Sequence, residues 1–210
     1  GATGTGKTEI VKQLAIYSDR EIMKVEISQS KSMWYGESEK IIKRIFTDYK
    51  AFAKESKQTP ILLFNEADAI LSKRNDAGNS SISQTENAIQ NILLEEFENF
   101  EGILIATTNM ANHLDSAFER RFLYKVKFQK PSINIRSKIW KQKLPLLNEN
   151  ECQLLAEKFD FSGGQIDNII RKNEIQEIVH GTMTNYENVL SFCKEESIGN
   201  QKSSIGFIKN

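Results

Sequence analysis

The chain is poor in the residues that cross-link proteins or bind transition metals. Its 210 residues include two cysteines and two histidines. Cys152 and Cys193 are too few and too far apart for a disulfide framework or a zinc site, so two reduced thiols are expected. His113 and His180 have no HExxH spacing, which excludes a zincin-type protease in this stretch.

The chain also lacks an excess of charge and a long apolar segment. Lys and Arg together number 28, as do Asp and Glu, so the net charge is zero. A neutral chain gives no general reason to expect nucleic acid or an anionic membrane as a partner, although a local basic patch is not excluded. No apolar run approaches the ~20 residues that span a bilayer, and no signal peptide is visible. We therefore expect a cytoplasmic protein without a membrane contact.

Strand-like and helix-like segments alternate up to residue 130, which predicts a parallel α/β sheet with helices on both faces. Beyond Pro131 only helical periodicity remains. The chain is thus divided into an α/β core (1–130), an all-α domain (131–199) and a tail (200–210). The predicted strands are 22–28, 61–64, 102–109 and, near an edge, 123–128, and the predicted helices of the core are 8–17, 37–56 and 84–98. A polar loop is predicted at 75–81. The apolar pattern places Ile10, Val11 and Leu14 on one side of the first helix, and Ile135 and Leu154 belong to the helical pattern beyond Pro131.

The stretch GATGTGKT fits the phosphate-binding loop G-x-x-x-x-G-K-[ST]. Small residues let backbone N–H groups curl around phosphates, Lys7 reaches the terminal phosphates, and the Thr8 hydroxyl can ligate Mg²⁺. An amphipathic helix follows at once, which makes a chance match the weaker alternative. The predicted phosphate-binding residues are Gly1, Ala2, Thr3, Gly4, Thr5, Gly6, Lys7 and Thr8. Such a loop follows a strand and none precedes Gly1, so we expect a fragment that lacks the first strand of its sheet.

The segment ILLFNEAD places Asn65, Glu66 and Asp68 after a short apolar strand. Nucleotide hydrolases with a phosphate loop put an Asp-Glu pair here, the Asp for Mg²⁺ and the Glu to activate a water. Here the first of the two is an amide. The segment alone also suits a core strand followed by a helix cap, because Asn and Asp are good capping residues. The phosphate loop upstream favours the nucleotide site.

Two further polar features follow along the chain. TTN ends the strand predicted at 102–109, where Asn109 can orient an attacking water, although a plain strand-end turn is the alternative. LDSAFERRF ends in Arg120 and Arg121. These arginines either interact with the dipole of a short helix or stabilise the transition state of phosphoryl transfer, in cis or from a neighbouring subunit.

GATGTGKT, NEAD, TTN and LDSAFERRF, in this order and spacing, resemble the AAA ATPases of the AAA+ superfamily, in particular a bacterial stand-alone branch. The resemblance is strong over 1–130 and reaches FSGGQIDNI at 161–169. It implies an ASCE-type P-loop NTPase fold with a helical lid, and ATP and Mg²⁺ as cofactors. It also implies a homo-oligomeric ring, a hexamer, that remodels or translocates a protein substrate, with no indication of nucleic acid.

The resemblance also implies roles by position. Glu66 would be the catalytic carboxylate, Asn109 the sensor-1 residue, and Arg120 or Arg121 the arginine finger that reaches the next subunit's ATP. Thr8 and Asn65 would bind Mg²⁺, and Gly163 and Gly164 would touch the nucleoside. No arginine stands at the lid position of a sensor-2 residue.

The stretch SKSMWYGESEK lies where AAA rings place a loop that grips a polypeptide in the central pore. Trp34 and Tyr35 would be the gripping side chains and Gly36 the turn residue. The alternative is that both aromatic side chains pack back onto the domain.

Asn65 bears on the rate of hydrolysis. An amide keeps an oxygen acceptor but loses the charge, which predicts Mg²⁺ binding weakened about ten- to a hundredfold. Glu66 is intact, so slow hydrolysis is expected, and Asn65→Asp is expected to raise turnover or lower the Mg²⁺ requirement. The leading hypothesis is therefore an ATP-driven remodelling motor. A nucleotide-dependent switch or scaffold with little hydrolysis is the main alternative, and a P-loop kinase and a DNA-replication ATPase are weaker ones.

Overall fold

The computed structural model describes residues 1–26, 34–72, 81–181 and 183–199. The side chains of 34–38, 69, 81–86, 111 and 199 also lie outside this description, as does most of the loop predicted at 75–81. The chain divides into two compact units. One unit contains Gly1–Ala2 and Lys7–Phe128, and the other contains Thr3–Gly6 and Gln129–Asn210.

The first unit contains a parallel sheet of three described strands in the order β1-β2-β3. The strands are β1 (Ile22–Glu26), β2 (Ile61–Asn65) and β3 (Ile103–Ala106). The helices are α1 (Lys7–Tyr17), α2 (Trp34–Glu55), α3 (Asp68–Leu71), α4 (Ser81–Glu98) and α5 (Ser116–Glu119). The predicted α/β fold with a parallel sheet is confirmed.

β2 is buried along its whole length because helices cover both faces of the sheet. Leu62 and Phe64 pack into the larger core on one face, with residues of α2 and α4. Ile61 and Leu63 face the opposite way and pack with Val11 of α1. A strand buried on both faces has no polar positions to alternate, which explains the continuous apolar run before Asn65.

The edge strand predicted at 123–128 is wrong, since the structure assigns no strand to these residues. Leu123, Tyr124 and Val126, three of its four apolar side chains, expose 92%, 87% and 75% of their surface. An alternating pattern forms a strand only when one face meets a core and a neighbouring strand takes its hydrogen bonds. Among the described residues no strand pairs with this segment.

α1 buries a narrower face than the sequence predicts. Val11 and Ala15, one turn apart, are each 4% exposed, whereas Ile10 and Leu14 expose 50% and 46%. The core on this side of the sheet is small, so it covers one i, i+4 stripe of the helix and leaves the flanking positions in water.

The second unit contains α6 (Ile133–Lys143), α7 (Glu149–Lys158), α8 (Gly163–His180) and α9 (Tyr186–Gly199). Capping boxes at Asn148 and Ser162 begin α7 and α8, which satisfies backbone N–H groups that a helix start leaves open. Both cysteines are buried and free. The core residues include Trp140, Cys152, Leu155, Ile166, Ile169, Val189 and Cys193.

Two apolar residues of the helical pattern in this unit do not join its core. Ile135 and Leu154 are each 52% exposed, because Arg136 and Leu155, one position along, take the buried places in their helices. None of the described helices has the length and apolar character needed to cross a membrane.

Candidate functional site

Lys7 begins α1, and its ammonium group lies against the start of the phosphate loop. Nζ donates to the Gly1 carbonyl (2.9 Å), the Ala2 carbonyl (2.7 Å) and Asn109 Oδ1 (2.7 Å). These contacts use all three donors of the ammonium group, so a phosphate would replace one of the present acceptors. Burial lowers the pKa of Lys7, and the carboxylates of Asp68 and Glu66 partly oppose this shift.

Asn65, the last residue of β2, accepts hydrogen bonds from two threonines. Its Oδ1 accepts from Thr8 Oγ1 (2.8 Å) and from Thr107 Oγ1 (2.9 Å). Its Nδ2 donates to Glu26 Oε2 at 3.2 Å. The side chain thus joins the first turn of α1, the residue after β3 and the last residue of β1. An amide oxygen in this position therefore accepts a hydrogen bond from the Thr8 hydroxyl.

Glu66 follows directly and has a backbone that few non-glycine residues adopt. Its φ is +52°, a left-handed conformation that is uncommon for a residue with a Cβ atom. Its N–H donates to Thr107 Oγ1 at 3.0 Å. Its side chain is exposed, whereas Asn65 before it and Ala67 after it are buried. The turn therefore presents the Glu66 carboxylate to solvent at the carboxyl end of the sheet, where general bases of α/β enzymes lie.

Asp68, in the first turn of α3, holds the segment after β3. Its carboxylate accepts from the Thr108 hydroxyl, from the Asn109 N–H (3.1 Å) and from the Met110 N–H (3.3 Å). Because Asn109 in turn accepts from Lys7, the carboxylate fixes the backbone that presents the Asn109 side chain.

The tip of the phosphate loop, Thr3–Gly6, lies in the second unit with the start of α8. The Gly164 N–H donates to the Gly4 carbonyl at 2.8 Å. A Cβ atom on Gly4 would lie 2.8 Å from Ser162 Oγ, and Gly4 has a φ of +73°. Both the close approach and the left-handed backbone require glycine there. The structure thus brings Gly4 together with Gly163 and Gly164, the two glycines that sequence reasoning singled out.

The two arginines after α5 have different surroundings. Arg121 donates to the Ala117 carbonyl (2.8 Å) and pairs with Glu98 at the end of α4. Arg120 is exposed, and its guanidinium has no hydrogen bond or ion pair within the described part of the chain. Arg121 is therefore held by contacts within the chain, whereas the Arg120 guanidinium is exposed.

The predicted pore residues lie only in part within the described structure. The helix α2 begins at Trp34 rather than near residue 37, so Trp34, Tyr35 and Gly36 occupy its first turn. Their side chains, and the preceding residues 27–33, lie outside the description.

The oxygen atoms around Thr8 suit a magnesium ion. The Thr8 hydroxyl, the Asn65 amide oxygen and the neighbouring Glu26 carboxylate are hard donors, and Mg²⁺ in nucleotide sites takes one or two protein ligands with phosphate and water for the rest. No cluster of three or more Asp, Glu, His or Cys residues that could form an all-protein cage occurs among the described residues. The donor set therefore fits Mg²⁺ brought by a nucleotide.

Sequence reasoning missed two residues of this site, Glu26 and Thr107. It also missed the positioning role of Asp68. Thr107 was visible in the TTN stretch, but nothing in the sequence says that its hydroxyl bridges Asn65 and Glu66. Glu26 becomes a neighbour of Asn65 only through the parallel register of β1 and β2, which a single sequence does not specify.

Comparisons with known proteins agree with this geometry. Residues 1–130 match the family model described as "ATPase family associated with various cellular activities (AAA)". Fidgetin-like protein 1 of Drosophila melanogaster is 30% identical over 178 residues, covering 81% of this chain and 33% of that protein. Cell division protein C of Sulfolobus acidocaldarius is 26% identical over 181 residues, covering 84% of this chain and 48% of that protein.

Solved structures show the same fold. The AAA domain of FIGL-1 in complex with ADP has a TM-score of 0.69 at 20% identity, covering 94% of this chain and 69% of that one. A chain of the Escherichia coli MS115-1 HORMA:CdnC:Trip13 complex has a TM-score of 0.72 at 19% identity, covering 93% and 71%. The chain spans less than half the length of the two relatives named above. Since the family model covers 130 of the 210 residues, this chain belongs to the AAA family of ATPases.

Proposed function

We propose that this chain binds ATP with Mg²⁺ and hydrolyses it, and that an oligomeric AAA ring uses this energy to remodel or translocate a protein. One observation carries the proposal. Thr8 of the phosphate loop contacts Asn65 at the end of β2 at 2.8 Å, and Lys7 contacts Asn109 after β3 at 2.7 Å. A phosphate-binding group, a metal-binding group and a polar group that can orient water therefore meet at one edge of the sheet.

Each residue has a distinct role in this proposal. Lys7 and the loop N–H groups bind the terminal phosphates, while Thr8 and Asn65 hold the metal. Mg²⁺, when bound with the nucleotide, offsets the charge that develops on the transferring phosphoryl group. Glu66 accepts the proton of the attacking water, since its exposed carboxylate stands at the end of β2. Asn109 orients that water or the γ-phosphate.

Arg120 is proposed as the arginine finger that acts on the ATP of a neighbouring subunit. Its exposed guanidinium supports this choice over Arg121, which is held by Glu98. The trans arrangement predicts that two inactive variants complement each other. Arg120→Ala subunits keep Glu66, and Glu66→Gln subunits keep Arg120, so mixed rings contain complete sites. Recovery of ATPase activity on mixing supports the trans role, and no recovery in confirmed mixed rings contradicts it.

The pore role of Trp34, Tyr35 and Gly36 is likewise a proposal. It predicts that Trp34→Ala retains ATP hydrolysis but loses ATP-dependent unfolding of a model substrate with an unstructured tail. Equal unfolding by both proteins would contradict the role. The helical second unit is proposed as the lid on the nucleoside, through Gly163 and Gly164, and the cytoplasmic location stays a prediction.

The test of the main proposal compares the wild-type chain with Glu66→Gln. Both are expected to bind ATP, and only the wild type is expected to release phosphate in the presence of Mg²⁺. The neutral Asn65 favours a second candidate, a nucleotide-dependent switch that assembles but barely hydrolyses. A wild type that assembles with ATP and shows no more turnover than Glu66→Gln would establish the switch instead.

A further inference from the structure

The side chain next to Asn65 is a carboxylate on the neighbouring strand. β1 and β2 are parallel, and Glu26 is the register partner of Asn65. Register partners point to the same face of a sheet, so Glu26 lies on the face of Asn65, Leu63 and Ile61, the face that packs on α1. This is the helix that begins with Lys7 and Thr8.

The hydrogen bonds fix the orientation of the Asn65 amide. Asn65 Nδ2 donates to Glu26 Oε2 at 3.2 Å, and Oδ1 accepts from the hydroxyls of Thr8 and Thr107. An ionised carboxylate only accepts hydrogen bonds, so the amide turns its NH₂ group toward Glu26 and its oxygen toward Thr8. Glu26 thereby aims the oxygen that the metal site needs.

The carboxylate at position 26 favours a neutral side chain at position 65. An aspartate at position 65 would set its carboxylate against that of Glu26 at hydrogen-bond distance, where two like charges repel. With asparagine the pair carries one negative charge and one good hydrogen bond. The negative charge that the usual Asp-Glu pair would place at position 65 is thus present on the neighbouring strand β1, at Glu26.

We propose that Glu26 supplies the carboxylate charge of the Mg²⁺–nucleotide site that Asn65 lacks, and orients Asn65 toward Thr8. The inference rests on the proposed function, since it concerns the same site. It revises the expectation that Asn65→Asp restores a missing charge, because Glu26 already places a carboxylate beside position 65. The competing interpretation is that Glu26 only forms a surface ion pair with Lys24.

The test is a four-corner cycle of wild type, Glu26→Gln, Asn65→Asp and the double variant, which moves the charge back to position 65. Glu26→Gln is isosteric, and a thermal melt verifies that each variant folds. The readout is equilibrium binding of a fluorescent ATP analogue, measured with Mg²⁺ and with EDTA, so it does not depend on turnover. The ratio of the two affinities reports how much Mg²⁺ strengthens binding. Glu21→Gln, an exposed change just before β1, is the matched control.

Glu26→Gln is expected to reduce the Mg²⁺ enhancement about ten- to a hundredfold, the effect of losing a charged hydrogen-bonding group. Asn65→Asp keeps the Glu26 charge and is not expected to lower it, and the double variant, which carries the charge at position 65 instead, is expected to return within about threefold of wild type. An unchanged ratio in Glu26→Gln overturns the inference, as does a double variant whose Mg²⁺ enhancement is no larger than that of Glu26→Gln.

The outcomes separate this inference from the proposed function. Wild type that binds the analogue with Mg²⁺ and is unaffected by Glu26→Gln contradicts only the role of Glu26. Binding that is equal with Mg²⁺ and with EDTA also contradicts that role. Wild type that binds no nucleotide under either condition contradicts both proposals.

Discussion

Replacing Thr107 by valine tests whether the turn at Glu66 is held as the structure indicates. Thr107 is 6% exposed. Its hydroxyl donates to Asn65 Oδ1 at 2.9 Å and accepts from the Glu66 N–H at 3.0 Å. Valine keeps the shape of the side chain and its packing but removes both hydrogen bonds. The backbone hydrogen bonds of Thr107 to Phe64 and Ala67 are unaffected.

The two lost hydrogen bonds set the size of the effect. A neutral hydrogen bond contributes about 0.5–1.5 kcal/mol, and a buried N–H left without a partner costs about 1–3 kcal/mol. The Glu66 side chain is exposed, so water can reach this turn and the lower half of the range applies. Thr107→Val is expected to lower the free energy of unfolding by about 1.5–3 kcal/mol. ATP hydrolysis is expected to fall at least tenfold, because the left-handed Glu66 loses its anchor.

Urea denaturation and phosphate release are the assays. Thr47→Val in α2 is the matched control, since its hydroxyl donates to the Lys43 carbonyl on an exposed helix face. That control is expected to change stability by less than about 0.5 kcal/mol. A Thr107→Val protein with the wild-type denaturation midpoint and wild-type hydrolysis would refute the role of Thr107.

Three further predictions follow from the described contacts. Asp68→Asn weakens the hydrogen bond from the Asn109 N–H to Asp68, so kcat for ATP hydrolysis is expected to fall about tenfold or more with little change in ATP affinity. A fall in ATP affinity with an unchanged kcat would contradict this prediction. Arg136→Met removes hydrogen bonds to the carbonyls of Pro131 and Ala156, so the free energy of unfolding in urea is expected to fall by about 2–4 kcal/mol. The control Lys130→Met changes an exposed side chain and is expected to lower it by less than about 1 kcal/mol. A hydrogen bond from Lys130 lowers the pKa of Asp160. The ionised Asp160 carboxylate therefore stabilises the fold above its unfolded pKa of about 3.9, and this stabilisation is lost as pH falls through the lower folded pKa. Asp160→Asn is expected to remove this part of the acid dependence of unfolding, measured by urea denaturation at a series of pH values.

Most of the core architecture was accessible from sequence because its signals are local. The phosphate loop needs a fixed run of small residues before a helix, and β2 is apolar from Ile61 to Phe64 because it is buried on both faces. These patterns carry their physical cause within a few residues. The same holds for the helical unit, where the 3.6-residue period beyond Pro131 predicted helices.

The errors and omissions concern contacts between distant segments. Residues 123–128 alternate apolar and polar side chains as a strand does, but this pattern does not determine whether a partner strand lies beside them. Glu26 was unremarkable in sequence because its importance comes from its register with Asn65, 39 residues away. The assignment of Arg121 to Glu98 depends in the same way on how α4 and α5 pack. The pairing of strands and the packing of helices that are distant along the chain are therefore what the single sequence could not predict.

Glu66 is the residue on which the proposed activity depends most directly. Its left-handed backbone and exposed carboxylate just after β2 support its proposed role as the group that activates the attacking water. Single-turnover hydrolysis of MgATP by wild type and by Glu66→Gln, at equal nucleotide occupancy, isolates this step from binding and product release. The account predicts ADP formation by the wild type at least a hundredfold faster than by Glu66→Gln, as expected for loss of a general base. Equal rates in the two proteins would contradict it.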